Sequence, residues 1–233
     1  MAEHLIETHL HTTHTSKCGW LKAEELVPRY KQAGYDGIIV TDHFNRTTFD
    51  YLKIDLHDPR VDKVAAFLSG YSHMTAAAEG TGIRIYRGAE LRFDESDNDY
   101  LLYGYTDELL ANPEAIFKMG IAAFAPIARG QGALIIQAHP YRAKCTPAIA
   151  CYLDGVEVAN VNGRHPNFNA RAEEYAQQFG LIRTCGSDCH RLEDIALGGI
   201  VTSELPSDSF GMMRLIRSRN YQLISDVRKM TLN

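Results

Sequence analysis

Polar side chains that can bind metal ions stand at the ends of short apolar runs along this 233-residue sequence. The set comprises His9, His11, His43, Glu90, His139, Asp188 and His190. Imidazole and carboxylate groups together form a ligand set suited to Zn²⁺, Mn²⁺ or Fe²⁺ rather than to Mg²⁺ or Ca²⁺. These residues outnumber the roughly three or four protein ligands that one ion takes, so we expect two ions, with Glu90 able to bridge them.

An alternation of strand and helix patterns would position these residues. Extended apolar runs predict strands over residues 5–10, 36–42, 83–90, 99–105, 133–138, 155–159 and 181–187. Helical patterns cover residues 22–33, 61–79, 113–128 and 167–179, while residues 45–60 are expected to form a long loop. About seven alternations predict one α/β domain whose parallel sheet closes, or nearly closes, into a barrel. The C-terminal ends of its strands would share one face, where the polar side chains converge.

The composition is that of an ordinary folded protein, with 45% hydrophobic and 23% charged residues. A net charge of −5 argues against a general nucleic-acid or anionic-membrane partner. No apolar run approaches the roughly 18 residues of a membrane span, and the polar first residues do not match a signal peptide. Five cysteines without a C-x-x-C spacing fit a reducing cytosol, so we expect a cytoplasmic protein of unknown oligomeric state.

Five motifs resemble, in order and spacing, those of the PHP (polymerase and histidinol phosphatase) superfamily. They are His9-Leu10-His11-Thr12, Thr41-Asp42-His43, Gly88-Ala89-Glu90, Ala138-His139-Pro140 and Gly186-Ser187-Asp188-Cys189-His190. The resemblance implies a single domain with a distorted (β/α)7 TIM-like barrel and up to three metal ions at its C-terminal rim. It also implies a stand-alone PHP domain over residues 1–233, with the motifs within residues 9–190 and a final strand, helix and strand in residues 191–233. Many members hydrolyse phosphate esters, and this is the activity implied here.

The resemblance assigns the ligands to three metal sites. They are His9, His11, Glu90 and Asp188 for the first site, His139 with the bridging Glu90 for the second, and His43 with His190 for the third. Two ligands that the superfamily often carries are missing, one near Lys17 and one near Tyr105. Cys18 or His14 could substitute for the first of these. Binding of two ions is therefore favoured over binding of three.

A phosphate substrate also needs cationic partners. Arg142 is expected to clamp phosphate oxygens with its planar guanidinium, and Arg92 and Arg164 are lesser candidates. His43 or His190 is expected to protonate the leaving group, because neither belongs to a complete metal site. Arg142, His43 and His190 are thus the candidate catalytic residues.

The residues leave more than one function open. We expect hydrolysis of a small-molecule phosphate monoester, such as a sugar, amino-alcohol or nucleotide phosphate, by metal-activated water. Glu157 and Asn160, at the end of another predicted strand, are expected to support the ligands. A nucleotide or oligonucleotide phosphodiesterase or exonuclease is also compatible with these residues, and the aromatic residues of segment 44–51 could then stack a base. A metal-dependent amidohydrolase and a catalytically inactive metal-binding PHP module are compatible as well.

Overall fold

A computed structural model of the chain describes residues 3–225. The strands are β1 (His4–Leu10), β2 (Tyr35–Val40), β3 (His43–Phe44), β4 (Arg84–Arg92), β5 (Asp99–Tyr103), β6 (Leu134–Gln137), β7 (Gly155–Asn160), β8 (Ile182–Gly186), β9 (Gly199–Thr202) and β10 (Gln222–Ile224). The helices are α1 (Ala23–Gln32), α2 (Arg46–Tyr51), α3 (Lys63–Phe67), α4 (Ser69–Ala78), α5 (Asp107–Leu110), α6 (Pro113–Gly130), α7 (Asn169–Phe179) and α8 (Ser209–Ser218). Helix α6 is kinked at Gly120, whose φ is 76°.

The strands form one sheet that curls into a nearly closed barrel. The strand order is β10-β9-β1-β2-β4-β5-β6-β7-β8, with β3 alongside β4. Strand β8 returns to β1 because Leu10 forms a parallel bridge with Cys189, and the Thr8 hydroxyl donates to the Cys185 carbonyl at 2.6 Å. The predicted single-domain α/β barrel is confirmed.

One barrel strand runs opposite to the predicted direction. Strand β5 pairs antiparallel with both β4 and β6, whereas β1, β2, β4, β6, β7 and β8 run parallel. The prediction of a wholly parallel sheet is therefore wrong. The cause is the short connection from β4 to β5, residues 93–98, which is a hairpin without a crossover helix. The first residue of β5, Asp99, consequently lies at the C-terminal rim, the end of the barrel where the parallel strands finish.

The segment between β2 and β4 also differs from the prediction. Strand β2 ends at Val40, so Asp42 lies between the two strands and His43 begins the short strand β3. Residues 45–60 include helix α2, whose first turn is capped by the Asn45 side chain, which accepts from the Thr48 amide. Two helices, α3 and α4, replace the single helical stretch predicted over residues 61–79.

The last described elements continue the same sheet. Strand β9 pairs antiparallel with β1, and β10 pairs with β9 after helix α8. They are the strand, helix and strand predicted for residues 191–233. Residues 1–2 and 226–233 lie outside the described residues, so the extent of the domain over 1–233 stays a prediction. Within residues 3–225, no helix combines the length and apolar character needed to cross a membrane.

Candidate metal centre

His9 and His11 point into the barrel from the end of β1, because residues two apart on a strand share a face. Both are fully buried, and their Nε2 atoms lie 3.1 Å apart. His9 Nδ1 lies 2.9 Å from Glu157 Oε1, which leaves Nε2 facing the other ligands. Gly186 makes room for this ring, since a Cβ at that position would lie 2.4 Å from the His9 Cβ.

Glu90 lies at the centre of the site. Its Oε1 is 3.3 Å from His9 Nε2 and 3.2 Å from His139 Nε2. Its Oε2 is 3.3 Å from His11 Nε2 and 2.8 Å from His43 Nδ1. Glu90 lies within β4 rather than at its end, and the pairing of β3 with β4 sets His43 directly beside it.

Two buried atoms at this centre lack a hydrogen bond. Neither Glu90 Oε2 nor His43 Nδ1 has a partner with acceptable geometry among the described residues, although the two atoms are neighbours. The Glu90 side chain is 0% exposed, so water does not satisfy it from outside. A buried polar atom without a partner is costly, and a cation between the two groups would satisfy both.

Asp188 faces the same centre from the end of β8. Its left-handed backbone, with φ at 49°, brings Oδ1 within 3.3 Å of His11 Nε2 and 3.5 Å of His9 Nε2. His190 Nδ1 lies 2.8 Å from the Asp188 carbonyl oxygen, and the His190 ring stacks on that of His11 with centroids 4.2 Å apart. Together, the seven predicted ligands form one group, which we call the rim cluster.

Charges within the rim cluster compensate one another. Burial alone would raise the pKa of both carboxyl groups, but neighbouring imidazoles reverse this. His43 and His9 hold the pKa of Glu90 well below its usual range. His9, His190 and the nearby guanidinium of Arg142 hold the pKa of Asp188 well below its usual range too. Both carboxylates are therefore ionised and negatively charged at neutral pH.

The imidazoles respond in opposite ways. Burial opposes protonation of each, yet the carboxylates around His9 raise its pKa well above the ordinary value. His11 lies between His190 and His43, so burial and these neighbours lower its pKa well below the ordinary value. A divalent cation that binds His9 would therefore displace a proton, whereas His11 is already neutral.

The described residues contain three sets of ligand atoms, and within each set all atoms lie within 4.8 Å of one another. They are His9, His11 and Glu90; His11, His43 and His190; and His43, Glu90 and Asp99. Their imidazole and carboxylate chemistry suits divalent transition-metal ions, and the buried Glu90 oxygen without a partner faces these ligands. The residues therefore fit a divalent-metal site.

Family comparison agrees with this geometry. Residues 7–187 match the PHP domain family, and residues 166–220 match the PHP-associated family. The chain belongs to the PHP domain family. The resemblance inferred from the five motifs is thereby confirmed. No curated protein sequence is significantly similar to this PHP domain.

Solved structures share its fold. A two-domain protein from Bacteroides vulgatus, which contains a predicted PHP-like metal-dependent phosphoesterase, superposes with a TM-score of 0.67 at 16% identity. That match covers 97% of this chain but only 65% of the Bacteroides protein. PsfC from Pseudomonas syringae gives a TM-score of 0.64 at 17% identity, covering 100% of this chain and 96% of PsfC. An amidohydrolase from Chromobacterium violaceum with bound sulfate gives 0.55 at 15% identity, covering 94% and 97%.

The two positions where ligands are missing have different surroundings. The Cys18 thiol faces His43 and His190; burial would raise its pKa, but these imidazoles lower it to about 6. Cys18 lines the same cavity as these two imidazoles, and its use as a substitute ligand stays a prediction. His14 does not reach the site, because its ring stacks on that of His73 with centroids 3.9 Å apart.

Asp99 is a site residue that was not predicted from the sequence. It is buried, and its Oδ2 lies 3.9 Å from His139 Nε2. The sequence lacks the superfamily ligand near Tyr105, and Tyr105 itself lies beyond the far end of β5, where its hydroxyl donates to the Gly88 carbonyl. The reversed direction of β5 explains why Asp99 was not predicted, because it brings the start of the strand to the rim.

A cavity of about 220 Å³ lies over the rim cluster. Its walls include ligands of the cluster together with Cys18, Asp99 and His165. Four arginines complete the lining, namely Arg92, Arg142, Arg164 and Arg191. The expected phosphate clamp, Arg142, is already engaged. Its Nη2 donates to Asp188 Oδ2 at 2.7 Å and to Asn160 Oδ1 at 3.0 Å, and its Nε donates to Asn167 Oδ1 at 2.9 Å. Only Nη1 is free of these hydrogen bonds, so Nε and Nη2 cannot bind a phosphate together in this geometry.

Other buried acids hold the ligands in place. Glu157 Oε2 accepts from the His139 amide at 3.1 Å and from Asn160 Nδ2 at 2.8 Å, which agrees with the supporting role expected of both Glu157 and Asn160. Asp42, beside His43 in the sequence, does not face the cluster. Its Oδ1 accepts from the Thr12 amide and the Ser16 hydroxyl, each at 2.7 Å, so it fixes the loop after His11.

Two of the three aromatic residues of segment 44–51 are buried. Phe44 and Phe49 are buried in the hydrophobic core, with ring centroids 5.5 Å apart. The Tyr51 hydroxyl donates to the Thr13 carbonyl at 2.9 Å. Phe44 and Phe49 are therefore not accessible to a nucleobase, and of the three aromatic residues only Tyr51, at 40% exposed, presents a ring at the surface.

Proposed function

We propose that this PHP domain is a metal-dependent phosphatase that hydrolyses a small-molecule phosphate monoester, such as a sugar, amino-alcohol or nucleotide phosphate. The observation that carries the proposal is the rim cluster, in which ionised Glu90 and Asp188 meet buried imidazoles beneath a cavity lined by arginines. His9, His11, Glu90 and Asp188 would hold one ion. His139 and Glu90 would hold a second, and His43 with His190 a third.

Bound divalent ions would polarise the phosphate and lower the pKa of an attacking water. The residues of the chain then have separate tasks. Glu157 orients the His9 ring, and Arg142 orients the Asp188 carboxylate. His43 and His190 line the cavity and are partly exposed, at 17% and 13%, so in a centre of two ions, which leaves both imidazoles free of metal, either can deliver a proton to the leaving alkoxide.

The volume of the cavity favours a small monoester. A volume of about 220 Å³ admits a phosphate with a short leaving group. An oligonucleotide needs an extended basic groove with aromatic platforms, and the aromatic residues of segment 44–51 do not provide one. A cytoplasmic location and a small phosphorylated partner remain predictions that accompany this function.

A panel of esters tests the proposal. The purified protein, loaded in turn with zinc, manganese or iron(II), is incubated with sugar, amino-alcohol and nucleotide monophosphates and with a bis-ester. Release of inorganic phosphate from a monoester is the expected result. Cleavage of the bis-ester alone would favour a phosphodiesterase, and no turnover with any ion would favour an inactive metal-binding module.

Variants connect the activity to the rim cluster. His9→Ala and Asp188→Ala should each abolish turnover while leaving the circular dichroism spectrum native. Glu174→Gln, an exposed change on α7, is the matched control and should retain full activity. Full turnover in His9→Ala or Asp188→Ala would contradict the assignment.

A further inference from the structure

Three of the four arginines that line the cavity are held by carboxylates. Arg92 forms a bidentate pair with Asp99, at 2.7 and 2.5 Å. Arg142 is bound to Asp188, and Arg164 pairs with Asp194. The charge of each of these guanidinium groups is therefore largely compensated within the protein.

Arg191 is different. Among residues 3–225, no carboxylate oxygen lies within 4.0 Å of its guanidinium nitrogens, and none of these nitrogens donates a hydrogen bond. Its guanidinium carbon instead lies 4.1 Å from the ring centroid of Trp20. Trp20 is 65% exposed, and its amide donates to the His190 carbonyl at 2.9 Å, which ties the indole to the segment that carries Arg191.

Stacking fixes a guanidinium by its face and leaves its N–H edges open. The attraction between the cation and the ring holds the group in place without using its hydrogen-bond donors. Arg191 follows His190 directly and lines the same cavity. Its donors are thus presented beside the rim cluster, where the part of a substrate beyond the phosphate would lie.

We propose that Arg191, supported by Trp20, recognises a second anionic group, a carboxylate or a second phosphate, on the phosphate ester that this site takes. Such groups match the planar donor pattern of a guanidinium, which binds them through two parallel hydrogen bonds. The proposal rests on the proposed phosphatase function and specifies the substrate class of that site. Esters with an uncharged leaving group would leave Arg191 unpaired and would bind more weakly.

Two pairs of substrates test this specificity. One pair is phosphoglycerate and glycerol phosphate, which differ by a carboxylate. The other is fructose bisphosphate and fructose monophosphate, which differ by a phosphate. The metal-loaded wild-type protein should favour an anion-bearing member about 10- to 100-fold in kcat/KM, mainly through KM. The pair that shows the larger preference identifies the second group as carboxylate or phosphate.

The variant Arg191→Gln should lose this preference, because kcat/KM falls for the anion-bearing member of the preferred pair. Arg214→Gln is the matched control, because Arg214 is an exposed arginine on α8 outside the cavity over the rim cluster. Equal kcat/KM within both pairs for the wild type, or an unchanged preference in Arg191→Gln, would overturn the proposal.

A binding measurement separates this proposal from the proposed function. Trp20 is the single tryptophan of the chain, so its fluorescence reports directly on the Arg191 position. Phosphoglycerate and fructose bisphosphate should change the emission, with a Kd about tenfold weaker in Arg191→Gln. Binding with this dependence but without turnover would refute the phosphatase and leave the recognition role standing. Turnover of monoesters with no effect of Arg191→Gln on either Kd or preference would refute only the recognition role.

Discussion

Glu157 Oε1 lies 2.9 Å from His9 Nδ1, and this contact directs His9 Nε2 toward Glu90 and Asp188. A carboxylate at one ring nitrogen places the proton there and leaves the other nitrogen free to bind a cation. Glu157 does not approach the centre itself. It nevertheless contacts two ligands, because its second oxygen accepts from the amide of His139.

Glu157→Gln should weaken metal binding about 10- to 100-fold. The glutamine side chain lacks the negative charge that fixes the proton on His9 Nδ1. If its NH₂ group takes the position of Oε2, the backbone amide of His139 loses its acceptor. Isothermal titration with zinc measures the effect. Glu174→Gln is the control of equal charge change, and identical affinities in the two variants would contradict the role of Glu157.

Asp99→Asn should lower the number of ions that remain bound after dialysis, because Asp99 is near both Glu90 and His139 at the rim. Elemental analysis of the dialysed protein gives the stoichiometry. Asp107→Asn is the control, because Asp107 also pairs with an arginine, Arg87, but lies away from the cluster. This variant should bind as many ions as the wild type. Equal stoichiometry in Asp99→Asn would remove this residue from the centre.

Arg142→Ala should reduce metal affinity and kcat, and not KM alone. The sequence suggested that Arg142 contacts the substrate, but most of its donors hold Asp188 and its neighbours. Without the guanidinium, the buried Asp188 carboxylate loses a charged hydrogen-bond donor and is no longer held in its present orientation. Kinetics at saturating metal and a zinc titration test this together. A rise in KM with unchanged kcat and zinc affinity would show that Arg142 acts on the substrate after all.

Gly186→Ala should destabilise the protein by about 1–3 kcal/mol and weaken metal binding, because the new methyl group would overlap the Cβ of His9. Urea unfolding measures the stability, and a zinc titration measures the affinity. Gly130→Ala is the control, since a Cβ there would meet no atom within 4 Å. Equal behaviour of the two variants would show that β8 can shift away from His9.

Cys18 should react with iodoacetamide below neutral pH in the metal-free protein. Burial raises the pKa of its thiol, but His190 and His43 lower it to about 6. The thiolate fraction, and hence the alkylation rate, should increase between pH 5 and 7 and then level off, about three units below an ordinary thiol near pH 9. Mass spectrometry of the labelled peptide follows the rate, and a rate that begins to increase only above pH 8 would contradict the contact with the two imidazoles.

The barrel and the rim cluster were predictable from the sequence because each ligand follows, or nearly follows, a recognisable apolar run. Local patterns carry no information about strand direction. A superfamily ligand was therefore noted as missing near Tyr105, and Asp99 was overlooked at the opposite end of the same strand. The engagement of Arg142 was also hidden, because its partner Asp188 is 46 residues away and only the closed barrel brings them together.

The hairpin between β4 and β5 offers an opening for protein engineering. Its residues, 93–98, connect Arg92 and Asp99 at the mouth of the cavity, and no crossover helix has to be kept in register there. Longer inserts in this turn would change which molecules can enter the cavity, while the hydrogen bonds between the barrel strands would stay intact. The same chemical machinery could thereby be given new selectivity by lengthening one surface connection.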